Sequence, residues 1–204
     1  MTLITNRSKQ KLTLAQFVER LPDEEGRYEL VDGEIMRKLA TRRHEDIADY
    51  IARQFDKEVE RLNLNYRVSG RIVVATETKN GTEQGRNPDV SVVNRDVWSA
   101  YPSAYSALFE PLQIAVEVVS TNWEDDYIDK LDEYQRMGIS EYWIVDYLAI
   151  ASRSYLGNPK VPTVFVYLLN DKGNYRSQAF QNAEPISSRT FPELKLTVEQ
   201  ILAA

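Results

Sequence analysis

The 204-residue chain contains 31 acidic and 25 basic side chains, which give a formal net charge of −6, and it contains no cysteine. Disulfides, thiolate chemistry and zinc sites with cysteine ligands are therefore excluded. The acidic balance argues against a protein that coats nucleic acid, although it permits an enzyme with a local basic cleft. The length suits one domain over residues 1–204. No apolar stretch reaches the roughly 20 residues of a membrane helix, so we expect a cytoplasmic protein with no membrane partner.

The N-terminal third is predicted to form a helix, a hairpin and a longer helix. A capping box at Thr13 opens a short helix that we expect to stop at Pro22. Asp32-Gly33 lies between two alternating runs, which is a strong hairpin signal. Residues 44–62 carry apolar side chains at spacings of three and four, which predicts an amphipathic helix with His44 at the start of its buried face.

The middle of the chain is predicted to contain two strands separated by a loop. Residues 66–78 are rich in strand formers, residues 79–88 are rich in turn formers, and residues 89–94 form the second strand. Residues 95–111 are expected to be irregular, with Pro102 and Pro111 interrupting regular structure.

The C-terminal half alternates strands with helices. A strand around Glu117 is followed by a helix from about 123 to 137, which Gly138 ends as a C-terminal cap. Residues 141–147 form a strand, residues 163–180 form a hairpin, and a capping box at Thr197 starts a last short helix. This order of elements predicts an α+β fold with a central mixed sheet, flanking helices and added hairpins.

Two acidic residues on apolar strands are the first candidates for chemistry. Glu117 lies in the apolar run 114–119, where a carboxylate loses hydration unless a metal, a cation or several donors compensate. Asp89 begins another apolar strand, and on neighbouring strands the two carboxylates could bind a hard cation such as Mg²⁺, which activates water. A turn or capping role for Asp89 and an internal ion pair for Glu117 are the structural alternatives.

Lys130 is the third candidate, because it lies on the same side of its predicted helix as Tyr127 and Tyr134. From the border of that buried side its amine could reach towards the sheet. Asp126 lies four residues earlier, so an ordinary Asp-Lys helix pair, worth roughly a few tenths of a kcal/mol, is the alternative interpretation.

The single histidine, His44, excludes a site with several histidine ligands. We prefer a packing role for His44 over that of a proton carrier near the acids. Glu45 beside it is either an acid that supports the site or an exposed residue at the start of the helix. Tyr142 and Trp143 are expected to fill the core or an interface rather than to stack on bases.

Several motifs occur together in an order that is typical of one family. They are "RYELVDGEI", a helix start at His44, "RNPDVSVV", "EVVS", the D-x3-K-x3-Y run of Asp126, Lys130 and Tyr134, "GISEYWIVDY" and "TFPELKLTVEQIL". On these motifs the chain resembles the Uma-two family of bacterial restriction-endonuclease-like proteins, over a core of about residues 14–202. That family is similar to the PD-(D/E)xK phosphodiesterase superfamily, and the resemblance implies a restriction-endonuclease-like sheet.

The resemblance also implies a metal site. Pro88-Asp89 matches the first half of the superfamily motif, and Glu117-Val118 matches its acid and variable residue. The implied ligands for Mg²⁺ or Mn²⁺ are Asp89, Glu117 and the carbonyl of Val118. The candidates for a supporting role around these ligands are His44, Glu45, Asp126 and Tyr134.

Val119 departs from the superfamily pattern, which has lysine at this position. Glu117 and Val119 point to the same side of the strand, so a lysine there would reach the metal site and valine cannot replace its charge. In the family that the chain resembles, the lysine has moved to the following helix, and Lys130 is the position that matches. A long, flexible lysine stem makes this exchange possible.

The resulting hypothesis is a metal-dependent phosphodiesterase or endonuclease that acts on nucleic acid, DNA rather than RNA, with Lys130 orienting water or stabilising the developing charge. One alternative is a catalytically inactive nuclease fold with a scaffolding or regulatory role. Another is an interaction module that works as a homodimer or higher oligomer through residues 142–155 and 164–175. Phosphate contacts would come from local clusters such as Arg37-Lys38 and Arg42-Arg43.

Overall fold

The computed structural model describes residues 11–21, 26–101 and 107–204, and the structural statements below concern these residues. The predicted helix stop at Pro22 and the predicted interruption at Pro102 lie outside the described residues. The helices are α1 (Leu14–Glu19), α2 (Arg42–Arg61), α3 (Arg95–Ser99), α4 (Lys130–Met137), α5 (Arg153–Leu156) and α6 (Val198–Leu202), and a π-helical turn (Asp125–Asp129) precedes α4. The strands are β1 (Arg27–Val31), β2 (Glu34–Lys38), β3 (Tyr66–Ser69), β4 (Val73–Glu77), β5 (Glu83–Arg86), β6 (Val90–Asn94), β7 (Ala107–Leu108), β8 (Ile114–Val118), β9 (Glu141–Asp146), β10 (Thr163–Leu169) and β11 (Tyr175–Phe180).

The central sheet has six strands in the order β11-β10-β9-β8-β6-β3. β8 and β9 run parallel while their other neighbours run antiparallel, so the sheet is mixed. Successive side chains on β9 point to opposite faces. Trp143 meets Phe55 of α2 edge to face at 5.2 Å, and Tyr142 meets Tyr134 of α4 edge to face at 5.0 Å. Helices therefore cover both faces, and the predicted central mixed sheet with flanking helices is confirmed.

A second, five-stranded sheet has the order β2-β1-β5-β4-β7, with β4 and β7 parallel. The predicted hairpin at Asp32-Gly33 is confirmed as β1 and β2, and both turn residues have positive φ, +50° and +81°. This conformation suits a two-residue hairpin turn, in which glycine is the favoured second residue. The hairpin β1–β2 forms one end of the second sheet and lies over the edge of the central sheet where the candidate residues are found.

The expected single strand over residues 66–78 is wrong, because the chain changes sheets at Gly70. β3 belongs to the central sheet and β4 to the second sheet. A Cβ atom at Gly70 would lie 2.8 Å from the carbonyl oxygen of Asp89, so the close passage of the two backbones requires glycine. The local pattern could not show this change, since both halves are rich in strand formers.

Two segments expected to be irregular contain regular structure. The expected loop 79–88 contains β5, which pairs with β4 and β1 although Gln84-Gly85 has low strand propensity. The expected irregular segment 95–111 contains α3 and β7. Strand pairing outweighed the local preferences in β5 and β7, whereas α3 is a short helix that the Asn94 side chain caps.

The remaining predicted elements are confirmed with small changes. The helix predicted from about 123 starts as a π-helical turn and continues as α4, and Gly138 caps it with φ +91°. Capping boxes are present at Thr13 and Thr197, and residues 163–180 form the β10–β11 hairpin. Over the described ranges, none of the helices has the length and apolar character needed to cross a membrane.

Candidate active site

A cleft of about 1180 Å³ opens between the β1–β2 hairpin, the end of β8 and the π-helical turn. Its lining includes Glu29, Lys38, Glu117 and Lys130. A second cavity of about 470 Å³ is lined by Asp89 and shares residues 37–40 with the cleft. The side chain of Lys38 therefore borders both cavities, at the point where the two candidate acids meet.

Asp89 and Glu117 are brought together by strand register. The antiparallel pairing of Val90 with Val116 continues the register so that Asp89, the residue directly before β6, lies opposite Glu117 of β8. Opposite residues on neighbouring strands point to the same face, so their side chains lie side by side. Both are nearly completely buried, with 3% and 1% of their surface exposed.

Asp89 is surrounded by donors from four elements. Its Oδ1 lies 2.9 Å from Nη1 of Arg27 and 3.2 Å from Nζ of Lys38. Its Oδ2 accepts a hydrogen bond of 2.8 Å from the backbone N–H of Val118 and lies 2.9 Å from Nε2 of His44. Burial opposes ionisation, but Lys38 and the neighbouring His44 imidazole hold the pKa of Asp89 below its usual range. Asp89 is therefore an anion in the folded protein.

Glu117 is held from both sides of its carboxylate. Oε2 lies 3.1 Å from Nζ of Lys38 and 3.0 Å from Nζ of Lys130. Oε1 accepts a hydrogen bond of 2.7 Å from the hydroxyl of Tyr134. Two ammonium groups and one hydroxyl thus replace the water that this carboxylate loses in its apolar strand.

Lys130, Asp126 and Tyr134 lie on one side of the helix that follows β8. Lys130 is 3% exposed, and its Nζ lies 2.9 Å from Oδ1 of Asp126 as well as 3.0 Å from Glu117. Burial opposes the charge of Lys130, but Asp126 and Glu117 raise its pKa well above the ordinary value. Burial raises the pKa of Asp126 to about 7, against the opposing effect of Lys130. The structure therefore contains both the helix pair and the contact to Glu117 that the sequence left as alternatives.

The β1–β2 hairpin supplies three residues to the site, of which the sequence predicts only Lys38, as a phosphate contact rather than as a partner of the two acids. Arg27 and Lys38 are cross-strand partners, and Glu29 is two residues from Arg27 on the same face. The turn at Asp32-Gly33 fixes this register, so the pairing of Arg27 with Lys38 could be predicted from the sequence. No local pattern indicates that this face of the hairpin covers Asp89.

A second charged network fixes the hairpin's sheet against the helix. Arg86 of β5 binds both carboxylate oxygens of Glu133 at 2.8 Å, and Nη1 lies 3.2 Å from Asp125 and 3.6 Å from Glu29. Thr76 donates a hydrogen bond of 2.7 Å to the same Glu133 carboxylate. A bidentate Arg–carboxylate pair is geometrically specific, so this network sets how α4 lies against the second sheet.

The other sequence candidates lie at different distances from the two acids. His44 is buried at the start of α2 and touches Asp89, so it combines packing with a contact to the site. Glu45 is half exposed and reaches Asp89 only through Arg27, to which it is bound. Val119 is fully buried in an apolar cluster with Tyr134, so it brings no charge to the site.

Two further sequence interpretations are changed by the packing. Tyr142 and Trp143 are fully buried on the central strand β9, so they fill the core and are not available to a partner subunit. Arg43 donates hydrogen bonds to the carbonyls of Leu202 and Ala204, so this member of the Arg42-Arg43 cluster anchors the C-terminal segment.

The donor chemistry around the two acids fits a hard divalent cation, because Mg²⁺ and Mn²⁺ prefer carboxylate oxygens and bind with only one or two of them plus water. Asp89, Glu117 and Glu29 converge on a single position, as the ligands of one cation would. The cation at that position is the Lys38 ammonium. In the part of the chain that the structure describes, no group of three or more His, Asp or Glu side chains is arranged so that it could hold a metal ion. The carbonyl of Val118, the remaining implied ligand, belongs to a residue that lines the cleft.

The protein is an α+β protein with a restriction-endonuclease-like sheet and two buried acids side by side at neighbouring strands. A crystal structure of a putative nuclease belonging to DUF820 from Anabaena variabilis matches with a TM-score of 0.68 and 17% identity, over 94% of this chain and 98% of that chain. At this identity the match shows the fold.

The chain belongs to the Uma2 (Uma-two) family, since the model of that family, described as "putative restriction endonuclease", matches residues 14–199. The family resemblance inferred from the motifs is thereby confirmed. A comparison with curated protein sequences finds no match. Family and structural neighbour together support a nuclease-like function.

Proposed function

We propose that this protein is a metal-dependent phosphodiesterase that cleaves nucleic acid in the cleft beside β8. One observation carries the proposal: Asp89 and Glu117, buried on neighbouring strands, both lie within 3.2 Å of one cation, the Lys38 ammonium. Two buried carboxylates that already share a cation are suited to share a metal ion. The cleft gives a substrate access to that position.

In this proposal Asp89, Glu117 and the Val118 carbonyl hold Mg²⁺ or Mn²⁺. The bound ion would supply an activated water and neutralise charge that develops on the phosphate. The hydroxyl of Tyr134 and the amine of Lys130 fix the orientation of the Glu117 carboxylate. Lys130 also lines the cleft, so its charge faces the place where a phosphate would react.

Asp126 is suited to hold or release a proton during the reaction. It lines the cleft beside Lys130, and burial raises its pKa to about 7, so the carboxyl exchanges its proton near neutral pH. A group with this pKa can accept a proton from water or return one to a leaving oxygen.

The rim of the cleft supports a polyanionic substrate despite the net charge of −6. Lys11, Arg20 and Arg37 line it. Such a local cluster binds phosphates, and we propose DNA rather than RNA as the polymer. Binding should weaken with salt, with a slope of log affinity against log salt of about −0.9 for each phosphate neutralised on a duplex.

The proposal is tested by an assay of Mn²⁺- or Mg²⁺-dependent cleavage of single- and double-stranded DNA and RNA. Glu117→Gln keeps the shape of the side chain but removes its charge, so we expect at least a ~100-fold loss of rate. Glu34→Gln makes the same chemical change at an exposed residue of the cleft and should keep the wild-type rate. Equal cleavage by wild type and Glu117→Gln would refute the assignment.

The second candidate function is that of a catalytically inactive scaffold or regulatory protein. The position of Lys38 favours it, because a lysine that neutralises both acids permanently would leave no room for a metal. Calorimetric titration separates the two functions: folded protein that binds no Mn²⁺ at millimolar concentration would be the scaffold. For either function we also propose a single domain over residues 1–204, with a core of about residues 14–202, and a homodimer or higher oligomer. Sedimentation analysis at micromolar concentration checks the oligomeric state.

A further inference from the structure

Lys38 has the surroundings of a bound metal ion rather than those of an ordinary surface lysine. Four oxygen atoms from different parts of the chain surround its Nζ. They are the carbonyl oxygen of Asn87 at 3.0 Å, Oε2 of Glu117 at 3.1 Å, Oδ1 of Asp89 at 3.2 Å and Oε1 of Glu29 at 3.6 Å. An ammonium carries only three donors, so three carboxylates and a carbonyl exceed what one lysine needs. The same oxygen types are the ligands that hard divalent cations prefer.

The position of Lys38 also allows its amine to move away from the carboxylates. It is the last residue of β2, the outermost strand of the second sheet among the described strands, and the adjacent Leu39 is 82% exposed. Its side chain is 18% exposed and borders both the cleft and the smaller cavity. Lys130, by contrast, is 3% exposed and comes from the packed helix α4. A flexible four-carbon stem at a strand end can withdraw its amine into the cleft without unfolding an element.

We propose that Lys38 is a tethered cation that occupies the metal position in the metal-free protein, so that a divalent ion binds only when it displaces the amine into the cleft. This inference rests on the proposed function, because it names the residue that controls access to the same site. The displaced amine would then face the substrate side, where it can contact a phosphate oxygen.

Charge and space both require the displacement. A divalent ion bound to Asp89 and Glu117 at about 2.0–2.1 Å would occupy the region in which the Lys38 ammonium now lies, and two cations in one cage repel each other. Without the Lys38 charge, three carboxylates share one pocket, with Arg27, Arg86 and Lys130 as the remaining direct cationic neighbours. A variant that lacks the charge should therefore bind a divalent ion more tightly than wild type does.

The first test is calorimetric titration of the full chain with Mn²⁺. Lys38→Met keeps most of the stem and removes the charge, and we expect at least about tenfold tighter binding than in wild type. Lys57→Met removes the same charge from an exposed position on α2, outside the residues assigned to metal or phosphate binding, and serves as the matched control, with an expected change below about threefold. Tighter binding by Lys38→Met alone supports displacement. Equal or weaker binding by Lys38→Met, or an equal gain in both variants, overturns it.

The second test uses wild-type protein and does not depend on the folding of Lys38→Met. Reductive methylation with formaldehyde and cyanoborohydride, read by peptide mass spectrometry, should modify Lys38 several times faster once Mg²⁺ is added, while the rate at Lys11 stays constant. If Lys38 stays equally protected while calorimetry shows metal bound, the inference is wrong and the proposed metal site stands. If neither wild type nor Lys38→Met binds Mn²⁺, both the inference and the proposed function fail.

Discussion

The central sheet contains two pairs of buried acids that are satisfied in opposite ways. On β9, Glu141 accepts hydrogen bonds from the indole of Trp143 at 2.7 Å and from the backbone N–H groups of Arg189 and Thr190 at 3.1 and 3.0 Å. Asp146 at the other end of the strand accepts from backbone N–H groups of the following turn. The cleft pair, Asp89 and Glu117, is instead neutralised mainly by the long side chains of Arg and Lys.

This difference distinguishes acids whose partners are fixed by the fold from acids whose partners can be exchanged. Backbone N–H groups and a packed indole cannot move away without unfolding, so Glu141 and Asp146 hold the fold together. Lysine and arginine side chains at a cleft can move, and under the proposed function a metal or a substrate would replace them as partners of Asp89 and Glu117. Burial of an acid in an apolar strand is the same in all four cases and does not by itself indicate function.

The largest expected effect is on stability and comes from the core pair. Glu141→Ala would leave the Trp143 indole and two backbone N–H groups without their acceptor, so we expect a loss of about 3–5 kcal/mol in the free energy of unfolding. Denaturant unfolding followed by tryptophan fluorescence measures it. A loss below 1 kcal/mol, roughly that of one ordinary hydrogen bond, would contradict the assignment of Glu141 as structural.

The next effect is a pH dependence from the cleft. The folded-state pKa of Asp126 is about 7 and its ordinary value is 3.8, so between about pH 4 and 7 the folded chain holds a proton that the unfolded chain has lost. The free energy of unfolding therefore falls as pH rises through this window, by roughly 2–4 kcal/mol.

Asp126→Asn should remove this slope, while the exposed Asp46→Asn keeps it. Asp89 and Glu29 have lowered pKa values, so their contributions are lost only as pH falls below about 4, outside the window. Urea unfolding at a series of pH values measures the slope, and an equal slope in wild type and Asp126→Asn would speak against a raised pKa.

A third effect tests whether the cleft acids are exchangeable. Mn²⁺ at about 100 times its dissociation constant should raise the free energy of unfolding of wild type by about 2.7 kcal/mol. Glu117→Gln should lose this response and Glu34→Gln should keep it, because of these two residues only Glu117 lies at the proposed metal position. Thermal unfolding with and without Mn²⁺ measures the stabilisation by the metal, and full stabilisation of Glu117→Gln would place the metal elsewhere.

The smallest effect compares two tyrosine hydroxyls, one from each pair. Tyr134→Phe removes a 2.7 Å hydrogen bond to Glu117 and should lower the free energy of unfolding by about 1.5 kcal/mol. Tyr127→Phe removes a 3.3 Å bond to Asp146, whose carboxylate keeps two backbone donors, and should lower it by about 0.5 kcal/mol. Equal losses would show that the fixed donors of Asp146 do not compensate.

The local structure and the family could both be inferred from the amino-acid sequence. The turn at Asp32-Gly33, the capping boxes and the Gly138 cap are set by the backbone preferences of a few adjacent residues, and the motif order identified the Uma2 family. The same local patterns identified Glu117 as a candidate but did not identify Glu141 and Asp146, which lie in an equally apolar strand.

Which buried acids face a cleft, and which charged side chains contact them, depends on the packing of the two sheets. The chain changes sheets at Gly70, and the β1–β2 hairpin places Lys38, which is 79 residues from Glu117 along the chain, against both acids of the cleft. Contacts over such distances depend on how two sheets pack, and no local preference of the backbone encodes that packing. For this reason Lys130 could be found from its helical spacing, whereas the cation at the centre of the site could not.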